Sequence, residues 1–242
     1  MRFSFIIPAL NEEKLLPDVL NQVCDEKLKA KYDYEVIVSD GGSKDRTVEI
    51  AIQFADKVTV HTSEIVQSIA EGRNRGAKLA QGENLIFINA DVLLQNVNSF
   101  FGYINSKFIQ SEFLAMTTFV KIFPDEENLL DKIFHFCYNH YFWLLNFTGV
   151  GMGRGECQVI RKNIFEELHG YREDIAAGED FNMFVRIRKR GKVLYANNIF
   201  VFESPRRFRK LGYFNITWTW IKNGLSVLIR NKAISKIWEE VR

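Results

Sequence analysis

The sequence predicts an α/β protein built around a parallel sheet, and three observations lead there. Strand-like and helix-like segments alternate through the first hundred residues, as in successive right-handed βαβ units. Runs such as "LIFI" (85 to 88) are apolar without alternation, as expected of strands covered by helices on both faces. The chain has 242 residues, 47% hydrophobic and 26% charged, which suits one large globular domain with a sizeable core.

Taken in order, "RFSFIIP" (2 to 8) reads as a strand and "NEEKLLPDVLNQVCDEKL" (11 to 28) as a helix that Pro17 kinks or restarts. "YEVIVSD" (34 to 40) is a strand, "SKDRTVEIAIQFA" (43 to 55) a helix and "KVTVH" (57 to 61) a strand. "IVQSIAEGRNRGAKLAQ" (65 to 81) is largely helix, and "ENLIFINAD" closes the series as a strand. Beyond Asp91 the pattern changes. "FLAMTTFVKIF" (113 to 123) reads as a strand and "ENLLDKIFHFCYNHYFWLLNF" (127 to 147) as a long helix rich in aromatics. A glycine series, "GVGMGRGE" (149 to 156), leads into the strand "CQVIR" (157 to 161). Two helices, "NIFEELHGY" and "GEDFNMFVRIRKRG", and a final strand, "KVLYANNIFVFE", come after it. There is no internal repeat and no low-complexity linker.

Composition removes several classes. Cys24, Cys137 and Cys157 are far apart and form no CxxC, so neither a disulfide framework nor a zinc ribbon is expected, and a reducing cytoplasm fits best. The apolar run in "MRFSFIIPALNEE" is too short for a secretory core, so no signal peptide is expected. The net charge of +2 conceals an asymmetry: residues 205 to 242 hold nine Lys/Arg and two Glu, a net +7, leaving −5 for the rest. That segment also carries Tyr213, Phe214, Trp218, Trp220 and Trp238, a mixture suited to a membrane surface or an anionic partner. Packing of these aromatics on the body of the protein is the plainer alternative. Asn215, Lys222 and Asn223 interrupt the run well short of the roughly 18 to 20 residues a membrane span requires. No nucleic-acid partner is expected.

Polar residues recur where strands end. Asn11 and Glu12 follow the first strand, Asp40-Gly41-Gly42-Ser43 ends the second, and Asn89-Ala90-Asp91 ends the fourth. Ligands of parallel sheets bind beyond the carboxyl ends of the strands, so one crevice is expected to gather all three tips. Each has a plainer reading: Asn11 capping a helix, Asp40 making a turn, Ser43 capping the next helix, Asp91 in a surface turn.

Together with their spacing, "IIPALNEEKLLPDVL", "EVIVSDGGSKDRT", "GRNRGAKLAQGENLIFINAD" and "FEELHGYREDIAAGEDFNMFVRIRKRGKV" resemble the inverting family 2 glycosyltransferases. The likeness covers about residues 1 to 205. It implies a GT-A, Rossmann-like fold: a mixed, mostly parallel sheet flanked by helices. Residues 1 to 95 would bind the nucleotide, 96 to 205 the acceptor, and 206 to 242 would form a basic, aromatic, helical tail. Carried over, Pro8, Ala9, Asn11 and Glu12 line base and ribose, and Asp40 accepts a hydrogen bond from one of them, a task suited to an acceptor-only carboxylate. Arg73 of "GRNRG" would lie against the nucleotide, with Gly72 and Gly76 permitting close approach; a solvated helix face is the alternative for Arg73 and Arg75.

The family's Asp-x-Asp, which ligates Mg²⁺ or Mn²⁺, reads here Asn89-Ala90-Asp91. One Asp can suffice, because Mg²⁺ takes only one or two protein carboxylates with waters and substrate phosphates. Asn89, being neutral, would instead bond the sugar or a metal-bound water. By the same resemblance Asp180 is the general base and Glu179 an acceptor contact, with a helix N-cap as the alternative for Asp180. Arg206 and Arg207 after the last strand would clamp the donor diphosphate or grip a phosphate on the acceptor, as guanidinium groups do. A polyprenyl phosphate acceptor would already be anionic, and the tail would then serve at the inner face of a membrane; a glycan hydroxyl is the other acceptor class.

"GVGMGRGE" lacks the spacing and position of a dinucleotide fingerprint and reads as a mobile loop closing over the sugar. His135, His140 and His169 form no ligand motif, and His169 takes the first place of a Gly-Gly pair common in the family. Two other functions remain open. A nucleotidyltransferase would carry a basic Gly-rich loop after strand one, where this chain has acidic "PALNEE"; a non-catalytic nucleotide-sugar-binding protein is motivated by Asn89.

Overall fold

The computed structural model describes residues 1–63, 67–230, 232 and 234. Positions 65 and 66 of the expected third helix, and Trp238 with most of the last twelve residues of the tail, lie outside the described residues.

The elements run β1 (Phe3–Ala9), α1 (Leu16–Val23), α2 (Glu26–Tyr32), β2 (Tyr34–Asp40), α3 (Thr47–Phe54), β3 (Lys57–Val60), α4 (Ile69–Leu79), β4 (Asn84–Ile88), β5 (Val92–Leu94) and α5 (Val97–Tyr103). A π-helical turn over Ile104–Ile109 extends α5, and then come β6 (Phe113–Ile122), α6 (Leu129–Phe147), β7 (Cys157–Arg161), α7 (Lys162–Glu167), α8 (Glu179–Arg188), β8 (Lys192–Glu203), α9 (Arg206–Leu211) and α10 (Tyr213–Arg230). The strands form a sheet in the order β3-β2-β1-β4-β7-β6-β8-β5. Pairings β1/β2, β1/β4, β2/β3 and β6/β8 are parallel, whereas β4/β7, β6/β7 and β5/β8 are antiparallel, which gives the mixed, mostly parallel sheet.

Helices cover both faces. One core layer joins Phe3, Phe5 and Val36 to Leu16 and Leu20 of α1 and Phe101 of α5. The other joins Ile6, Ile37 and Phe87 to Ala70 of α4, Phe165 of α7 and Phe184 of α8. Two-sided burial is why these strands read as unbroken apolar runs.

Boundaries differ from the sequence reading where local hydrogen bonding intervenes. The single helix expected over 11–28 is two: Pro17 lies in the first turn of α1, where its missing N–H costs nothing, and Asp25 takes an extended backbone and caps α2 by accepting from Leu28 N. Residues 92–112, which the sequence left unassigned, hold β5, α5 and the π-turn. Asn11 caps no helix; it has φ 53 and lies in the turn before α1. Ser43 does not cap α3, whose first amide, Thr47 N, is held by Asp45.

Short as it is, β5 joins two distant parts of the chain. Val92 pairs with Glu203, so the turn after β4 lies beside the end of β8, and the residues after Glu203 emerge next to Asp91.

Candidate active site

A cavity of about 630 Å³ opens at the carboxyl ends of β1, β2 and β4. Pro8, Ala9 and Glu12 line it from β1, Asn89 and Asp91 from β4, Glu179 and Asp180 from α8, and Arg206 and Arg207 from α9. Asn11 and Asp40 belong to the same region and do not line the cavity. The fully buried Asp40 accepts from Gly42 N and Ser43 N, both at 2.8 Å, and from the Ser43 hydroxyl. That hydroxyl accepts from Asn11 N at 2.8 Å, and Asn11 Oδ1 accepts from Lys44 N at 2.9 Å. The two side chains thus latch the turns after β1 and β2 together. Their neighbours Leu10, Ser39 and Gly41 face the cavity.

Arg206 bridges two of the expected carboxylates. Its Nη1 and Nη2 donate to Glu12 at 3.1 and 2.6 Å, and Nη2 also donates to Asp91 Oδ2 at 2.9 Å. The Asp91 side chain is 26% exposed to the cavity. Among the described residues no group of three or more His, Cys, Asp or Glu could hold a metal alone. Asp91 therefore fits a cation of the Mg²⁺ or Mn²⁺ kind only as one ligand among substrate phosphates and waters.

Arg73 is not on a solvated face. It is 1% exposed, donates to Glu179 Oε1 at 2.7 Å, to Asn89 Oδ1 at 3.1 Å and to the Gly155 carbonyl at 2.9 Å, and lies 5.3 Å from the centre of the Tyr171 ring. A guanidinium only donates, so Asn89 must turn its carbonyl oxygen to Arg73, which leaves that oxygen, the one metal-competent atom of the side chain, committed to a fixed cation. Gly76 serves helix packing rather than ligand approach: a Cβ there would come within 2.6 Å of Ile6. Gly72 does line the cavity, beside Gln67 and Pro8.

Gly178, with φ 89, is the N-cap of α8, so Asp180 is not; Asp180 lies in the first turn, its Oδ1 accepting from Phe181 N at 2.7 Å. Burial and the adjacent Glu179 push its carboxyl up to about 7, against the opposing pull of Arg73. Gly155 makes the crowding possible, because a Cβ there would meet Arg73 Nη2 at 2.9 Å and Asp180 Oδ2 at 3.2 Å.

The glycine series is not a loose lid. Gly151 (φ 79) and Gly153 press against α8, where a Cβ would lie 2.7 Å from the Phe184 carbonyl oxygen and 2.3 Å from its ring respectively. This segment delivers residues that sequence reasoning missed. Buried Arg154 donates to Glu156 at 3.0 and 3.2 Å and to Glu203 Oε1 at 3.1 Å, and all three line the cavity. Burial raises the Glu203 carboxyl well above its usual range, with Glu156 adding to the effect; in Glu156 the same burial is outweighed by Arg154, which holds it low. His135 beside them is pushed down to about 3 by burial and Arg154, and is neutral at neutral pH. The only sequence signal was "RGE" next to a predicted strand; the pairing of Ile88 with Cys157 brings it to Asn89. His169 has φ 57 ahead of Gly170 at φ 70, so its position is fixed by the backbone.

The family model for "Glycosyl transferase family 2" matches residues 4–169, more than half of the chain. The chain belongs to glycosyltransferase family 2. A PGL/p-HBAD biosynthesis glycosyltransferase of Mycobacterium bovis (strain BCG / Pasteur 1173P2) is 37% identical over 93 residues, 37% of this chain and 35% of the relative. A dolichyl-phosphate beta-glucosyltransferase of Drosophila melanogaster is 35% identical over 103 residues, 38% of this chain and 31% of the relative. The matched segments thus span about a third of these relatives. A mannosyltransferase from Pyrobaculum calidifontis, solved with GDP-Man and Mn2+, superposes with a TM-score of 0.71 at 16% identity, covering 100% of this chain and 66% of that one. This likeness establishes the GT-A fold of the family 2 domain.

Proposed function

We propose that this family 2 protein is an inverting glycosyltransferase that moves a sugar from a nucleotide-diphosphate donor to an acceptor. The observation that carries the reading is the joint presence in one cavity of Asp91, at the tip of β4, and Asp180, a carboxyl held near neutrality. A carboxyl tuned to about 7 suits a general base at neutral pH. The structural neighbour with GDP-Man and Mn2+ supports the donor class.

In this reading residues 1–95 hold the nucleotide. Pro8, Ala9 and Glu12 line base and ribose, while Asn11 and Asp40 act through the turns they latch. Arg73 supports the site from below by fixing Asn89 and Glu179, and Asn89 offers its amide N–H groups to the sugar. Mg²⁺ or Mn²⁺, held by Asp91 together with the diphosphate, would neutralise the charge developing on the leaving oxygen. Arg206, already at Asp91, and Arg207 contribute positive charge there or grip a phosphate on the acceptor. Asp180 takes the proton of an acceptor hydroxyl; the acceptor oxygen bonds to the anomeric carbon as the bond to the nucleoside diphosphate breaks, with inversion. Glu179 assists as an acceptor contact.

Residues 96–205 would form the acceptor half, taking a glycan hydroxyl or a lipid (polyprenyl) phosphate. No helix among the described residues is long and apolar enough to cross a membrane. The 206–242 segment would instead rest on the cytoplasmic face of a membrane, supported by exposed Phe214 and Trp218 and by Lys222 lying 5.7 Å from the Trp218 ring.

The test is Asp180→Asn with the donor that binds. Transfer to hydroxyl acceptors should fall by about 10² to 10⁴ while donor binding persists. For the wild type, kcat/KM should decline about tenfold per pH unit below about 7, where the carboxyl is protonated, and level off above it. Wild-type transfer by the variant would remove Asp180 from the mechanism.

A further inference from the structure

The cavity continues past Asp180 and changes character. Tyr141, Phe142 and Leu145 line this arm from α6, and Trp220, Ile221 and Leu225 line it from α10. The helices meet at Tyr138 and Trp220, whose ring centres are 5.3 Å apart. Tyr141, Ile221 and Leu225 are also 52%, 44% and 54% exposed, so the arm opens to the outside along them.

A nucleoside diphosphate sugar has apolar surface only on the faces of its base and sugar rings, less than the six apolar and aromatic side chains of this arm would cover. Gly224 adds a second observation. It lies inside α10 and lines the arm, and a Cβ placed there would meet nothing nearer than Phe181 Cε1 at 4.0 Å. A glycine inside a helix costs about 1 kcal/mol relative to alanine, and here no backbone conformation or neighbouring atom demands one. What the missing side chain does provide is width.

A third observation concerns the mouth. On α10 the exposed Phe214 and Trp218 fall at helical spacing with the lining residues Ile221 and Leu225, and Lys222 Nζ lies 5.7 Å from the Trp218 ring. The sequence from 205 onward is net +7. Apolar side chains with basic ones suit the surface of an anionic bilayer, in which amphiphiles are dissolved.

We propose that the arm between α6 and α10 binds the apolar chain of an amphiphilic acceptor whose polar head reaches Asp180. The assignment rests on the transferase reading and narrows its acceptor class. From Tyr138 to Leu145 the wall spans about 10 Å of helix, enough for several methylene groups.

The test measures binding of two series, alkyl phosphates and alkyl β-glucosides, with methyl to dodecyl chains below their micellar concentrations, by calorimetry on the full chain. In at least one series affinity should rise by about fourfold per methylene buried and then level off, and the series that responds identifies the head. Gly224→Phe should abolish the chain-length dependence, with Gly224→Leu as a smaller plug should the first fail to fold. Ile133→Ser with Phe136→Ser, on the outward face of α6, should leave it intact. Chain-independent affinity in both series, unchanged binding in a folded Gly224 variant, or loss through the outward pair would overturn the proposal. Nucleotide-sugar binding, followed in parallel by thermal shift, should be unaffected by Gly224→Phe; its absence in the wild type would count against the transferase reading and not against the arm.

Discussion

Glu179 is only 8% exposed at its side chain and faces an Arg73 that is 1% exposed, so the pair must be kept or lost together. Glu179→Gln leaves the guanidinium buried without its counter-charge, which should cost about 3 to 5 kcal/mol of stability, read from the urea midpoint. The same change removes a negative neighbour from Asp180 and frees the opposing positive charge, so the acid limb of kcat/KM should move below pH 7. An upward move would show that the electrostatics of the wall are misassigned. At this scale the sequence was legible for the positions of Asp91, Asp180 and Arg206 on the cavity wall, because each sits where a strand or helix boundary can be read directly. It was not legible for Asp40 and Asn11, whose side chains are consumed by turn hydrogen bonds that depend on Ser43 and Lys44. Arg154, Glu156 and Glu203 escaped because two antiparallel pairings, β4/β7 and β5/β8, bring them to the site.

Among the elements, the segment before β7 departs most from expectation. Flexible glycines in sequence look like a lid, yet Gly151 and Gly153 are there because α8 leaves no room for a side chain. Gly153→Ala would drive a Cβ into the Phe184 ring, and overpacking of this kind costs about 1 to 3 kcal/mol. Gly102→Ala in α5, where nothing lies within 4 Å, should instead stabilise the protein by up to about 1 kcal/mol. Chemical denaturation of both variants measures the contrast, and equal effects would mean that conformational freedom, not packing, explains the series. Strands β2, β7 and β8 matched their expected limits residue for residue, since apolar runs bounded by polar turns mark strands well. Strand direction carries no such mark, which is why the antiparallel placement of β7 had to come from the structure.

For the whole molecule, the open question in the sequence was whether the aromatic tail packs inward or faces outward, and it does both. Phe208, Tyr213, Ile216 and Trp220 form a small core with Phe134 and Ile122, while Phe214 and Trp218 are 80% and 53% exposed. Flotation with vesicles containing anionic lipid should retain the protein, and Phe214→Ser with Trp218→Ser should release most of it; equal retention of both would reject contact through α10. The parallel half of the sheet, β3-β2-β1-β4, and the gathering of its strand ends were predictable from βαβ alternation, whereas the apolar arm depends on how α6 and α10 meet. The central claim is that this cavity seats a nucleotide sugar with a cation at Asp91. The most direct measurement is a thermal-shift screen of nucleotide sugars with and without Mn²⁺, on wild type and Asp91→Ala, because a ligand that binds only the folded state raises the melting temperature. A shift enhanced by Mn²⁺ in the wild type, with no such enhancement in the variant, is the expected result; equal Mn²⁺-dependent shifts in the two proteins would contradict it.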